Sequence, residues 1–464
     1  MGFDDAHPID LKRLYSTPEN RLHVHYVASS TNEEQLTLTL VPNSTKTLRK
    51  EQASIHSEAV LLQWLSISHL SCLANEGQMN SSTHGRVSQG SDTGGKLPKN
   101  TPPFKNILPR VVKYGRAKFP SDVEFLLTKR VHGAILTSLG NALSKAQQRC
   151  IDFQIGQLIR DLSVHQSPNG HFGATSTVLK AANMHHTVTK ALPAVTEDDV
   201  IHTRWSDFFL SLLESVLRDA EDAALSLEYD RLRFHAGRFK EILDEVTVPC
   251  LVVLDAGEDF NTRIIASDRS AAQEPQGSVQ QHGPVCLETK EPQTAAMPSR
   301  AVNQSRSKTQ TNAQCESVPV PVPIRMLETP DAPKVIGIQD WHNSIFGDPL
   351  FTSVLTRSKN MDMWNGLIHQ VGEMESKAIK QAIHLAKNFR HVGVRQLLYD
   401  CYHSVVTIVT EYYRVTVDGD DRELPARRRL VQAIGRLDDL DDLGREKHPN
   451  PSSAHPIAKR KKSG

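Results

Sequence analysis

The chain has 464 residues, of which 38% are hydrophobic and 6% aromatic, enough for a sizeable core that polar stretches dilute. Its 54 Lys and Arg nearly balance 53 Asp and Glu, so it lacks the basic footprint of a nucleic-acid binder and we expect no nucleic-acid partner. The start MGFDDAHPIDLKRL has no apolar leader, no long apolar run occurs, and the six cysteines show neither CxxC spacing nor a paired framework; we expect a soluble cytoplasmic chain in a reducing compartment, with no membrane span and no zinc.

Taken in order, LHVHYV (22–27) and LTLTLV (36–41) alternate around the polar SSTNEE and predict an antiparallel hairpin. His23 and His25 fall on one face of the first strand. With no third ligand in view, we expect that face to meet solvent. Residues 47–65 place Ile55, Ala59, Leu62 and Leu65 at helical spacing, with Trp64 beside them and Glu58 near the stripe. Glu58 is then either a solvated edge residue or the partner of a cation from the sheet. Residues 75–103 are Asn, Ser, Thr, Gly and Gln with almost nothing large and apolar, which predicts a disordered insertion. DVEFLLTKRV (122–131) reads as a strand, and the following His132 and Gly133 as a connector between two lobes.

Residues 144–165 carry Ile151, Ile155, Leu158, Ile159 and Leu162 on one helical stripe, and 205–246 read as two amphipathic helices broken near Leu225–Glu228. PCLVVLDAGEDFNTRII (249–265) sets a polar loop between two apolar strands. An acid directly after a buried strand, with an amide some residues on, suits phosphoryl transfer: Asp255 would accept the proton of an attacking hydroxyl, and Asn261 would help hold Mg²⁺. A plain hairpin turn explains the same pattern. Residues 266–330 are again polar and include VPVPVP, predicting a second disordered insertion.

In PKVIGIQDWHNSIFGDP (333–349), a β-branched run delivers Asp340 to a strand end beside Trp341, and Asp348 sits in a Gly-Asp-Pro corner. Such a segment holds a metal ligand still, or it is a buried strand, a core Trp and a capped helix start. Further helical stripes occupy 397–415 and the stretch from Ala426 to Leu440. The tail from 441 ends in AKRKKSG, a nuclear import signal or a solvated disordered end.

In their order, EAVLLQWL, EFLLTKRVHG, WSDFFLSLLESVLRDAED, LDEVTVPCLVVLDAG, VIGIQDWHNSIFGDPLF and LLYDCYHSVVTIVTEYYR resemble the aminoglycoside phosphotransferase (APH) family, and within it a large fungal subgroup of uncharacterised members. The resemblance covers nearly the whole chain outside the insertions and the tail. It implies an α+β, two-lobed protein-kinase-like fold: a small β-sheet lobe with one helix (1–131), a larger, mainly helical lobe carrying the cleft (132–440), and the tail (441–464). It implies ATP and Mg²⁺ as cofactors and ATP-dependent phosphorylation of a hydroxyl on a small-molecule substrate. By position, Asp340 stands for the metal acid and Asp255 for the acid that handles the substrate hydroxyl. Asn261 stands for the second metal ligand, and Glu58 for the partner of the phosphate-holding lysine. The backbone of Leu127, Thr128 and Lys129 stands where adenine docks, and Asp348 would brace the loop.

The departures are specific. Val253 occupies the histidine position of the HxDxxxxN loop, and the Asp255–Asn261 interval is one residue longer, so strict spacing puts Phe260 where the amide belongs. Thr39 stands where the lysine is expected, leaving Lys46 or Lys50 to reach in, and SSTNEE has no glycine to close over phosphates. The alternative function is therefore a catalytically impaired, pseudokinase-like protein that binds a ligand or partner.

Overall fold

The computed structural model describes residues 10–14, 21–29, 35–79, 108–117, 122–182, 200–265, 333–357, 360–368 and 389–447. The insertion expected at 266–330 and the end of the tail lie outside the described residues, as does most of the insertion expected at 75–103; a helical backbone runs on to Met79.

The chain mixes helices with antiparallel sheets. Strands β1 (Asp10–Arg13), β2 (Val24–Ser29), β3 (Gln35–Leu40), β4 (Val111–Ala117) and β5 (Val123–Lys129) form one sheet in the order β1-β2-β3-β5-β4. The predicted hairpin is β2–β3, in a register that sets His25 opposite Thr39. Helix α1 (Ser54–Met79) lies on this sheet, with Ile55, Ala59, Leu62 and Leu65 buried as the periodicity predicts.

Past β6 (Ala134–Ile135) the chain becomes helical. Helix α2 (Lys145–Ser163) starts at a Ser144–Gln147 capping box and buries the predicted Ile151–Leu162 stripe. β7 (Gly173–Ala174), α3 (Thr175–Ala181), α4 (Trp205–Asp222), α5 (Tyr229–Arg238) and α6 (Lys240–Leu243) follow, and Ala224 in the left-handed region ends α4 near the predicted break. Strands β8 (Cys250–Val253), β9 (Thr262–Ile265), β10 (Lys334–Ile338) and β11 (Ser344–Gly347) come next, then α7 (Ser353–Arg357), α8 (Met361–Ile368), α9 (Phe389–Tyr413) and α10 (Gly419–Asp438).

Two features position the site. First, β8 and β9 are not a hairpin: β8 pairs with β11, whereas β9 pairs with β10 and β6. The Asp255 loop therefore crosses between two sheets, which excludes the plain-turn reading. Second, α2 and α8 cross at glycines, since a Cβ on Gly156 would stand 2.0 Å from the Met363 carbonyl and one on Gly366 1.9 Å from that of Phe153. From α2, the Gln154 side chain bonds the Pro333 carbonyl and the Val335 amide, both at 2.9 Å, anchoring the start of β10. Among the described residues no helix is long and apolar enough to cross a membrane.

Candidate functional site

β10 ends at Ile338 and delivers Asp340 into the interior, where its side chain is 2% exposed. Its backbone is held by Asn261, whose Oδ1 accepts from the Asp340 amide at 2.8 Å and whose Nδ2 donates to the Asp340 carbonyl at 3.1 Å and the Asp255 carbonyl at 3.4 Å. Both ends of this carboxamide are thus engaged with main chain. Asn261 fixes where the two acids stand, and its oxygen is already engaged by main chain. The lengthened loop also frees Phe260, over whose ring the Arg21 guanidinium lies 4.0 Å from the centroid.

Around the Asp340 carboxylate, Oδ1 lies 3.1 Å from His23 Nδ1 and 2.5 Å from His342 Nδ1, and Oδ2 lies 3.7 Å from His25 Nε2. Hydroxyls hold the far sides of two of these rings: His23 Nε2 meets Ser54 Oγ at 3.0 Å and His25 Nδ1 meets Thr39 Oγ1 at 2.9 Å. The solvent-facing expectation for His23 and His25 is therefore corrected. They do share a face, but it is the inner one, and they are 1% and 2% exposed. Burial is tolerated because Ser54, Thr39 and Asp340 satisfy the ring nitrogens.

Glu58 points into the same cluster. Its Oε1 accepts from the Trp341 amide at 3.3 Å, while Oε2 accepts no hydrogen bond and lies 3.6 Å from His23 Nδ1. Among the described residues no lysine pairs with it: the Lys46 ammonium sits 3.7 Å from the Tyr413 ring centroid and that of Lys50 5.4 Å from the Tyr402 centroid. Burial and the nearby Asp340 push the Glu58 carboxyl well above its usual range. Burial alone would raise Asp340 too, but the His23 and His342 imidazoles override it and hold that carboxyl well below the ordinary range. Burial lowers His23 to about 4 against the pull of Asp340.

Asp255, at the end of β8, is 6% exposed. Its Oδ2 accepts from Arg21 Nη2 at 2.8 Å, the same nitrogen lies 3.9 Å from Asp340 Oδ2, and Asp255 Oδ1 accepts no hydrogen bond. Asp255, Arg21 and His342 border a cavity of about 380 Å³ whose other walls include Lys50, Arg357 and Arg422. Most of its charges are matched locally, as in Arg414–Glu51 at 2.8 Å and Arg422–Glu411 at 2.6 Å. Charged side chains of both signs stand among apolar ones on this wall.

The structure thus gathers Asp255, Asp340, Asn261 and Glu58 in one place. It does not bring Leu127, Thr128 and Lys129 there as free backbone: β5 is paired with β3 on one side and β4 on the other through these residues, Lys129 N reaching the Arg110 carbonyl at 2.8 Å. Sequence reasoning passed over Arg21, His342 and Ser54. The only signal was the histidine two residues after Asp340 in QDWHN; nothing local marks Arg21.

Among solved structures, the chain is similar to a protein of Ralstonia eutropha JMP134 described as an aminoglycoside phosphotransferase, with 8% identity, a TM-score of 0.42 and 94% of each chain covered. It is also similar to APH(2″)-IIa in its gentamicin complex, with 12% identity, a TM-score of 0.34, and 94% of this chain and 93% of that one covered. No family model matches the chain, and no curated protein matches it.

Proposed function

We propose that the chain is a kinase-like phosphotransferase with two lobes, the β1–β5 sheet with α1 and the helical remainder, that transfers the γ-phosphoryl group of ATP to a hydroxyl on a polar small molecule. The observation that carries this reading is the convergence of Asp255 and Asp340 on one arginine, which lines the cavity together with Asp255. Asp255 is the group that receives the substrate hydroxyl proton, through the Oδ1 that has no donor. Arg21 is the cation nearest both acids and takes the phosphate-facing part that a lysine beside Glu58 would otherwise have. Asn261 acts as a positioning residue, since it ties the backbones of the two acids together.

Mg²⁺ fits this donor set poorly. A hard cation needs oxygen ligands, whereas Asp340 is surrounded by imidazoles and the Asn261 oxygen is engaged. The steps assigned here therefore rest on this chain's own residues. A second reading, binding without turnover, is favoured by one observation: Arg21 already neutralises Asp255, the would-be base.

Purified protein incubated with ATP, a divalent cation and a panel of hydroxylated small molecules should transfer phosphate. Asp255→Asn should lower that rate by at least about a hundredfold, the smaller end of what a general base contributes. Ligand-dependent thermal stabilisation with no transfer to any acceptor, and no change in Asp255→Asn, would establish the second reading instead.

A further inference from the structure

We infer that His23, His342 and Asp340 form a binding site for a first-row transition-metal dication of the Zn²⁺ type, bordered by the cavity on its His342 side. His23 Nδ1, His342 Nδ1 and Asp340 Oδ1 lie within 4.8 Å of one another, with separations from the carboxylate oxygen of 3.1 and 2.5 Å. Metal–ligand bonds of about 2.0–2.1 Å at tetrahedral angles space donor atoms by about 3.3 Å, so the two separations from the carboxylate oxygen need to widen by less than about 1 Å to accommodate the ion. Two imidazoles and one carboxylate suit Zn²⁺, Co²⁺ or Fe²⁺ and disfavour Mg²⁺, which prefers an all-oxygen octahedron.

Three further features point to a ligand rather than to a packed hydrogen-bond cluster. The ring nitrogen of His23 remote from the carboxylate is held by Ser54 Oγ at 3.0 Å, which sets the ring's orientation as the outer partners of metal-bound histidines do. Asn261 fixes the Asp340 main chain from behind. The buried Glu58 Oε2 accepts no hydrogen bond and faces His23 Nδ1 at 3.6 Å, an acidic oxygen aimed into the cluster. His342 also borders the cavity. The cluster therefore meets that space through His342, while His23 and Asp340 stand behind it in the interior. His25, with Nε2 3.7 Å from Asp340 Oδ2 and Nδ1 on Thr39, stands just outside the three and orients the carboxylate.

The inference is independent of phosphoryl transfer, because its test reads metal occupancy. The full chain, stripped with a chelator, is titrated with Co²⁺ and followed by visible absorption. Visible bands saturating at one equivalent, displaced by Zn²⁺ and retained in a hundredfold excess of Mg²⁺, are expected. His342→Ala and Asp340→Asn should each weaken Co²⁺ binding by at least about tenfold. His342→Ala removes a ring at the cavity edge, and the far-ultraviolet circular dichroism of both variants verifies folding. Absence of bands in the wild-type protein, displacement by equimolar Mg²⁺, or unchanged affinity in a folded variant would each overturn the site, whether or not the protein turns over ATP.

Discussion

Asp340 and Asp348 sit eight positions apart on the same stretch, are both buried, and live in opposite surroundings. Asp348 is met by fixed donors: its Oδ1 accepts from the Leu350 amide at 3.0 Å, capping a 3-10 turn, and its Oδ2 accepts from the Tyr399 hydroxyl at 2.7 Å. The Arg395 guanidinium adds an ion pair, its Nε 3.2 Å from Oδ2 without making a hydrogen bond. Burial, and then Asp348 itself, push the Tyr399 phenol well up, so it remains a donor, and its oxygen in turn accepts from Trp205 Nε1 at 2.7 Å. Trp205, Phe351 and Tyr399 pack edge to face around this knot, and none of them lines the cavity beside Asp255. Asp340, by contrast, is surrounded by groups that can themselves change protonation or bind an ion, next to two buried acids and a cavity. A buried carboxylate whose partners are all fixed donors serves the fold. One surrounded by imidazoles, with an unsatisfied acid beside it, is held ready for a ligand.

The same substitution at both positions tests that contrast. Asp348→Asn leaves the fully buried Arg395, among the described residues, with Glu245 at 3.7 Å as its remaining ion-pair partner, and the expected loss is about 3 kcal/mol, the low end for breaking a buried pair. Denaturant titration measures it. Next, Gly156→Ala should cost about 1–3 kcal/mol, because the new methyl meets the Met363 backbone rather than a side chain that could move. As α2 anchors β10, this variant loosens Asp340 from behind without touching its carboxylate, and its Co²⁺ affinity shows whether the cluster depends on that support. Asp340→Asn should cost only about 1 kcal/mol, since weakened hydrogen bonds are offset by removing a negative charge that repels Glu58. Equal losses at Asp340 and Asp348 in the same denaturant series would break the distinction.

The smallest effect at neutral pH comes from His403, on the cavity wall, whose Nε2 bonds the Phe351 carbonyl at 2.7 Å. Burial lowers it from 6.5 to about 3. Between those values the unfolded chain binds a proton that the native state refuses, so this residue makes stability fall as pH drops from 6.5 toward 3. His403→Gln should leave stability at pH 7.5 nearly unchanged and flatten the acid-side decline by up to about 1.4 kcal/mol per pH unit. Melts across that range that parallel the wild type would show that the ring already titrates normally.

Much of the scaffold was legible because burial writes itself into periodicity. The stripes of α1 and α2, the break after α4 and the strand ending before Asp340 all follow from which residues must leave water. The Gly-Asp-Pro corner was legible as local turn chemistry, though its partners Tyr399 and Arg395, some fifty residues on, were not. Asp255 was legible as an acid after a buried strand. That its loop spans two sheets was not, since strand pairing is a long-range property.

By itself the sequence determined the alternation that puts His23 and His25 on one face, the acids at the strand ends, and the absence of a lysine from the second hairpin strand, because these depend on neighbours in the chain. Only the tertiary structure decided that the histidine face turns inward, that Asn261 binds main chain, and that Arg21 joins Asp255 to Asp340. Those outcomes depend on which polar groups lie opposite after folding. A buried imidazole is favourable only where Ser54, Thr39 and Asp340 wait to meet it.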